Sequence, residues 1–162
     1  MKQNNSFSDN GFTLGMALTD FFPVALFCIG GMVLFRQLHN GLFFAGVLLS
    51  TLAGLCKAGW KLIISSSGRD IPLLPRLFHY LMPSGFVLML FSVPFALSSW
   101  NILLGSLLRM PALIFVILGC IGMAMMMLFA VRLDRKKASS NWIEQLTNTV
   151  AQICFVLALL LA

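Results

Sequence analysis

The sequence predicts an all-α integral membrane protein, a single-domain bundle of about five transmembrane helices. Three observations carry that prediction. Hydrophobic residues fill 59% of the 162 positions and charged residues only 10%, against about 25% charged in soluble domains. A chain of this length cannot enclose so much apolar surface in an interior of its own. The apolar residues also fall in runs close to the ~20 that a helix needs to cross a bilayer, with short polar or charged breaks between them. Backbone groups in lipid must bond within their own segment, so the runs are expected to be helices.

The opening MKQNNSFSDN is polar and lacks the apolar core and small-residue cleavage site of a signal peptide. It reads as a retained, exposed tail. The first span is expected at 12–35, and Arg36-Gln-Leu-His-Asn-Gly41 then makes a short polar turn. A second span follows at 42–64. Ser65-Ser-Ser-Gly-Arg-Asp70 breaks it with turn chemistry. Ile71 to Tyr80 holds Pro72 and Pro75 and is expected to be irregular or interfacial. The third span is placed at 81–100, ending at the interfacial anchor Trp100. Asn101 to Met110 is short and apolar, and is placed along the membrane surface. A fourth span at 111–131, a charged loop at 132–140 and a fifth span at 141–162 complete the reading.

Five crossings put Lys2, Lys57, Lys61, Arg69, Arg76, Arg132, Arg135, Lys136 and Lys137 on one face, nine basic residues against Arg36 and Arg109 on the other. Cytoplasmic loops are enriched in Lys and Arg. The N-terminus is therefore expected inside and the C-terminus outside, in a membrane such as the bacterial inner membrane. The net charge of +6 is topological information in this setting. It offers no soluble basic face to nucleic acid.

Cofactors and metals are not expected. Cys28, Cys56, Cys120 and Cys154 lie singly inside apolar runs with no C-x-x-C pair, which argues against a disulfide framework or a zinc site. His39 and His79 fall on opposite faces, so haem ligation between them is not expected.

Ionisable residues within spans are costly and mark functional positions by default. Asp20 and Lys57 lie at similar depth from the same face and are candidates for an ion pair. Gly46, Ser50 and Gly54 form a small-x-x-x-small seam that Lys57 continues. Gln145, Asn148 and Gln152 share a stripe of the fifth helix by their i, i+3, i+7 spacing. Gly119 and Gly122 with Ala124 would fit a helix–helix interface on the fourth. The intramembrane polar set is thus Asp20, Lys57, Asn148 and Gln152. Lys61, Arg69, Arg76, His79, Tyr80, Ser84, Arg135, Asn141 and Gln145 gather at the same helix ends. Positive charge beside free helix N–H groups suits a phosphate or another anion.

The order of these features resembles the membrane-bound type-2 phosphatidic acid phosphatases. That family shows K-x6-R-P after one helix, P-S-G-H opening the next, and S-R-x5-H-x3-D two helices later. Here Lys61 is followed by Arg69-Asp70 with seven residues between, and Pro83-Ser84-Gly85-Phe86 stands where P-S-G-H would. Asp134-Arg135 is followed by five residues, Asn141, three residues and Gln145. The resemblance covers about residues 42–150. It implies phosphate contacts from Lys61, Arg69, Ser84, Gly85 and Arg135. The family's nucleophilic histidine is matched by Asn141, its orienting aspartate by Gln145 and its general-acid histidine by Phe86. Phosphate binding needs donors and positive charge, whereas phosphoryl transfer also needs the nucleophile and the acid. His79 is a poor substitute base, four residues before Pro83. The resemblance therefore implies a non-catalytic relative that holds a lipid phosphate. The translocator proteins also combine five spans with a chain of this length, but they are rich in Trp, and Trp60, Trp100 and Trp142 are the only ones in this chain.

Three functions stay open on the sequence, and an active phosphatase is a fourth that the missing histidines disfavour. One is a non-catalytic protein binding a phosphorylated lipid or similar anion through Lys61, Arg69, Ser84, Gly85, Arg135, Asn141 and Gln145. Another is a small transporter or channel subunit with Asp20 and Lys57 in the bundle, requiring a homo-oligomer or partner subunits. The third is a structural or assembly subunit that docks another membrane protein.

Overall fold

A computed structural model describes residues 14–133 and 138–162. Among them the chain forms seven α-helices and one 3-10 turn, with no strand. The helices are α1 Leu14–Thr19, α2 Phe21–Leu38, α3 Gly41–Ser67, α4 Leu73–Ser92, α5 Leu97–Leu107, α6 Ala112–Arg132 and α7 Ala138–Leu161, with the 3-10 turn Val93–Ala96 between α4 and α5. Joined as continuous runs, they make five helical stretches long and apolar enough to cross a membrane: Leu14–Leu38, Gly41–Ser67, Leu73–Leu107, Ala112–Phe129 and Ser139–Leu161. The chain is an integral membrane protein with an all-helical bundle.

The first span is broken at Asp20. Pro23 has no N–H to give to the carbonyl of Thr19, so the helix loses one rung there. At its far end α2 closes on His39 in the left-handed region, with φ 49°. Asn40 then caps α3, its Oδ1 accepting from the amides of Leu42 at 2.9 Å and Phe43 at 3.2 Å. Its Nδ2 also donates to the carbonyl of Ser92 at 3.4 Å, which ties this turn to the end of α4. Asn40→Ala is expected to lower stability by about 1 kcal/mol, and Asn40→Asp, which keeps the cap, by less. Thermal denaturation in one detergent compares the two.

Four details differ from the sequence reading. Residues 73–80 are not irregular but form the first turns of α4. Pro72 is the N-cap of this helix and Pro75 its third residue. The first amides of a helix have no intrahelical partner, so prolines there start a helix rather than break it. It follows that Pro83-Ser84-Gly85 does not open a helix; all three lie inside α4. Residues 101–107 continue the third span as α5 rather than forming a separate surface piece. Together Leu73–Leu107 make 35 residues, about 52 Å at helical rise and more than the ~30 Å hydrocarbon layer. Pro94, inside the 3-10 turn, marks where this run changes from α4 to α5. Finally, α3 extends three residues past its expected end, to Ser67.

The helices pack in an ordered row. α4 lies on α3, α3 on α2 and α1, α2 on α7, and α7 on α6, while α5 reaches α2, α6 and α7. α4 and α6 are thus the two edges. Small residues set the spacing. On α2, a Cβ on Gly30 would touch Val156 of α7 at 3.5 Å, and one on Gly31 would run into Val47 of α3. Two successive glycines let one helix approach both neighbours. A Cβ on Gly122 would lie 2.7 Å from the Cβ of Ala151, and one on Gly119 would lie 2.8 Å from the ring of Phe155. The Gly119/Gly122 seam is therefore filled by this chain's own α7.

The Gly46/Ser50/Gly54 seam is divided between two partners. Gly46 and Ser50 face Gly85 and Met89 of α4, whereas Gly54 faces Val24 of α2. Four residues advance a helix about 40° past a full turn, so eight residues carry the seam from one neighbour toward the next.

Candidate functional site

Sequence reasoning divided the polar residues into two sets, and the structure joins one member of the first to two of the second. Asp20, at the α1/α2 break, meets Lys61 of α3 with Nζ and Oδ2 2.5 Å apart. Gln145 of α7 donates its Nε2 to Asp20 Oδ1 and also to the carbonyl of Met16 at 2.8 Å. Three separate parts of the row are thereby stitched at one point. Lys61 and Asp20 keep only 13% and 16% of their side-chain surface exposed, and Gln145 is buried.

The carboxylate thus meets Lys61, one helical turn nearer the 68–72 loop than the Lys57 expected from depth. Lys57 Nζ sits 5.0 Å from the centroid of the Phe78 ring on α4, a cation–π geometry. The two lysines lie about 40° apart around α3 and about 6 Å apart along it, so the expectation had the right side of the helix and missed the depth by one turn.

Counted from the Asn40 turn, Lys61 lies about 30 Å along α3, which is one hydrocarbon thickness. With that turn at one boundary, the Asp20–Lys61–Gln145 cluster lies at the other. Trp60 Nε1 donates to Asp70 Oδ1 at 2.8 Å and ties this end together.

The remaining predicted site residues are placed as follows. Arg69 is exposed between α3 and α4. Ser84 is exposed on α4, its hydroxyl donating to the carbonyl of Tyr80 at 2.7 Å. Gly85 is buried against α3, where a Cβ would lie 2.7 Å from the carbonyl of Gly46. Its amide lies within the ladder of α4, so no free helix N-terminus exists there to cradle an anion. Asn141 is buried one turn before Gln145, while Asn148 and Gln152 are half-buried further along α7. Arg135 lies outside the described residues. Since α4 packs on α3 while α7 packs on α1, α2, α5 and α6, Ser84 and Gln145 stand on opposite sides of α3.

A stripe given little weight in the sequence reading stands out on α4. Arg76, Tyr80 and Ser84 recur at i, i+4 and i+8, all exposed, with His79 beside them. His79 Nδ1 is 2.6 Å from the carbonyl of Pro75. Because a carbonyl only accepts, Nδ1 carries the proton there. The helical spacing was visible in the sequence, but the expectation of an irregular 71–80 segment hid it.

Set against models of known protein families, curated proteins and solved structures, the chain matches none.

Proposed function

We propose that this chain is a non-catalytic membrane protein that holds a phosphorylated, anionic lipid at its basic end, along the outer face of α4. The single observation that carries this reading is the exposed Arg76–Tyr80–Ser84 stripe on an edge helix. A guanidinium and a phenol one turn apart are donors for a phosphate oxygen. Below them on the same helix, Leu90 and Phe91 are 69% and 65% exposed and offer an apolar path for acyl chains. Donors on an outer face favour a lipid headgroup over a soluble anion, which would call for an inward cavity. Arg69, exposed in the preceding loop, lies within the same headgroup layer.

The sequence resemblance to lipid phosphatases is compatible with this reading in a reduced form. Lys61 is engaged with Asp20 and Gly85 is engaged in packing, so the anion contacts shift to Arg69, Arg76 and Tyr80. Asn141 and Phe86 supply neither a nucleophile nor an acid, so turnover is not part of the reading. The basic end faces the cytoplasm under the positive-inside rule, with the N-terminus inside and the bacterial inner membrane as the setting.

Arg69→Ala/Arg76→Ala is expected to reduce retention of phosphatidate and phosphatidylglycerol by tenfold or more, at about 1 kcal/mol per basic residue near the surface. Native mass spectrometry of the purified protein, with phosphatidylcholine and free phosphate as comparison arms, reads this directly. Unchanged retention of anionic lipid in the double variant contradicts the reading, and preferred binding of free phosphate replaces the lipid with a soluble anion.

A further inference from the structure

Two of the amides on the fifth span take no part in the clasp at Asp20. Asn148 and Gln152 are half-buried on α7, and neither forms a hydrogen bond or ion pair with another described residue. An amide left unpaired at membrane depth is costly, because lipid tails offer it no partner. One turn before Asn148, Gln145 is 5% exposed. Its Nε2 is turned toward Asp20 and Met16, and its Oε1, facing away from them, is buried without a hydrogen-bond partner.

These amides face into the bundle. A Cβ on Gly30 of α2 would meet Val156 and Leu159, while Cβ atoms on Gly122 and Gly119 of α6 would meet Ala151 and Phe155. Those contacts mark the sides of α7 turned to each neighbour. At about 100° per residue, Asn148 and Gln152 fall in the arc between the two sides. α7 packs on α2 and on α6, while α2 and α6 make no comparable contact with each other. The two contact directions lie about 90° apart around α7. With about 8–10 Å between axes at each contact, α2 and α6 stand about 13 Å apart. The result is a groove floored by α7. It is wide enough for a chain of methylenes and too narrow for a further helix, which is ~10 Å across.

The floor is polar at one end only. Asn141, Gln145, Asn148, Gln152, Phe155 and Leu159 follow one another at steps of three and four residues, the spacing of one helical seam. The amides start at the membrane boundary and stop about 10 Å below Gln145. A phenyl ring and an isobutyl group continue the seam toward the far side. No charged residue lies on α2 from 21 to 35, on α6 from 112 to 131 or on α7 from 145 to 161. The nearest charges, Asp20 and Lys61, answer each other.

We infer that the groove between α2 and α6 binds an uncharged, hydroxyl-bearing lipid, of the mono- or diacylglycerol class, with its head at Asn148 and Gln152. Amides both donate and accept, as the hydroxyl and ester groups of such a head require. The tail then follows Phe155 and Leu159. A soluble solute in transit would need polar groups beyond Gln152, and an ionised head would need a counter-charge. The inference does not rest on the anionic-lipid reading, which concerns the outer face of α4.

The test is retention of radiolabelled 1-monooleoylglycerol by the purified full-length protein in micelles. Methyl oleate, with the same tail and an ester but no hydroxyl, is the comparison. Wild type is expected to bind 1-monooleoylglycerol saturably and about tenfold more tightly than methyl oleate. Asn148→Leu/Gln152→Leu keeps the volume of the side chains and is expected to lose that preference. It should unfold at no lower temperature than wild type, because no bond within the chain is broken. Arg69→Ala/Arg76→Ala is expected to bind 1-monooleoylglycerol as wild type does, so the two lipid readings fail separately. Equal retention of the two lipids by wild type overturns the inference, and so does a preference that survives in the double Leu variant. A destabilised Leu variant also overturns it, since the amides would then bond within the bundle. Light scattering that finds wild-type dimers and Leu-variant monomers overturns it in favour of a second copy of the chain.

Discussion

Asp20→Ala is expected to lower stability by about 3 kcal/mol, while Asp20→Ala/Lys61→Met recovers most of that loss. Removing one member of a buried pair leaves the other charge uncompensated, at a typical cost of about 3–5 kcal/mol. The low end applies because Lys61 lies near the membrane boundary and keeps 13% of its side chain exposed. Exchanging both members for apolar residues of similar size removes the desolvation penalty together with the attraction, and such exchanges are often neutral or better. Asp20→Ala also deprives Gln145 Nε2 of one of its two acceptors, leaving the Met16 carbonyl. Thermal denaturation of the two variants in one detergent gives the comparison. A double variant as unstable as the single one would show that α1, α3 and α7 depend on Asp20 for something other than its charge pairing.

The same cluster shows how far the sequence could be read. Composition and run length sufficed for five crossings, because the bilayer imposes a length on every span and a cost on every charge. The ends of the helices were less legible. Pro72 and Pro75 read as breakers from their identity alone, whereas their effect depends on where a helix begins; at the N-cap and third position they are compatible with one. That single misplacement turned Ser84 and Gly85 into the start of a helix and concealed the Arg76–Tyr80–Ser84 stripe. Asp20 and Gln145 were each marked as polar residues in an apolar setting, which is a signal the membrane makes strong. Their meeting was not legible, because it depends on α2 lying between α3 and α7. That order is written in Gly30 and Gly31, whose missing side chains admit Val156 on one side and Val47 on the other. Two adjacent glycines in an apolar helix are a sequence signal for a helix packed on both sides.

Gly85→Ala is expected to cost at least about 3 kcal/mol, although it adds one methyl group, and Gly105→Ala to cost nothing. Gly85 packs backbone to backbone on α3. A Cβ there would lie 2.7 Å from the carbonyl of Gly46 and 2.9 Å from the amide nitrogen of Ser50. The Ser50 hydroxyl, the nearest group, can turn aside, but the two backbone groups in the way are rungs of a helix. Overpacking in a core ordinarily costs about 1–3 kcal/mol, and a clash with backbone belongs at or beyond the top of that range. Gly105 lies in α5 with nothing within 4 Å of a Cβ. Ala there is the better helix former by about 0.5–1 kcal/mol, so that variant should be neutral or slightly more stable. The pair separates steric exclusion from loss of glycine as such. Gly85→Ala carries a functional expectation as well. α4 can accommodate the methyl group only by withdrawing from α3, which carries Phe78 away from Lys57 and moves the Arg76–Tyr80 face. Anionic-lipid retention should therefore fall in Gly85→Ala without any headgroup contact having been removed. Full retention in a folded Gly85→Ala protein would mean that the lipid is not read by the outer face of α4.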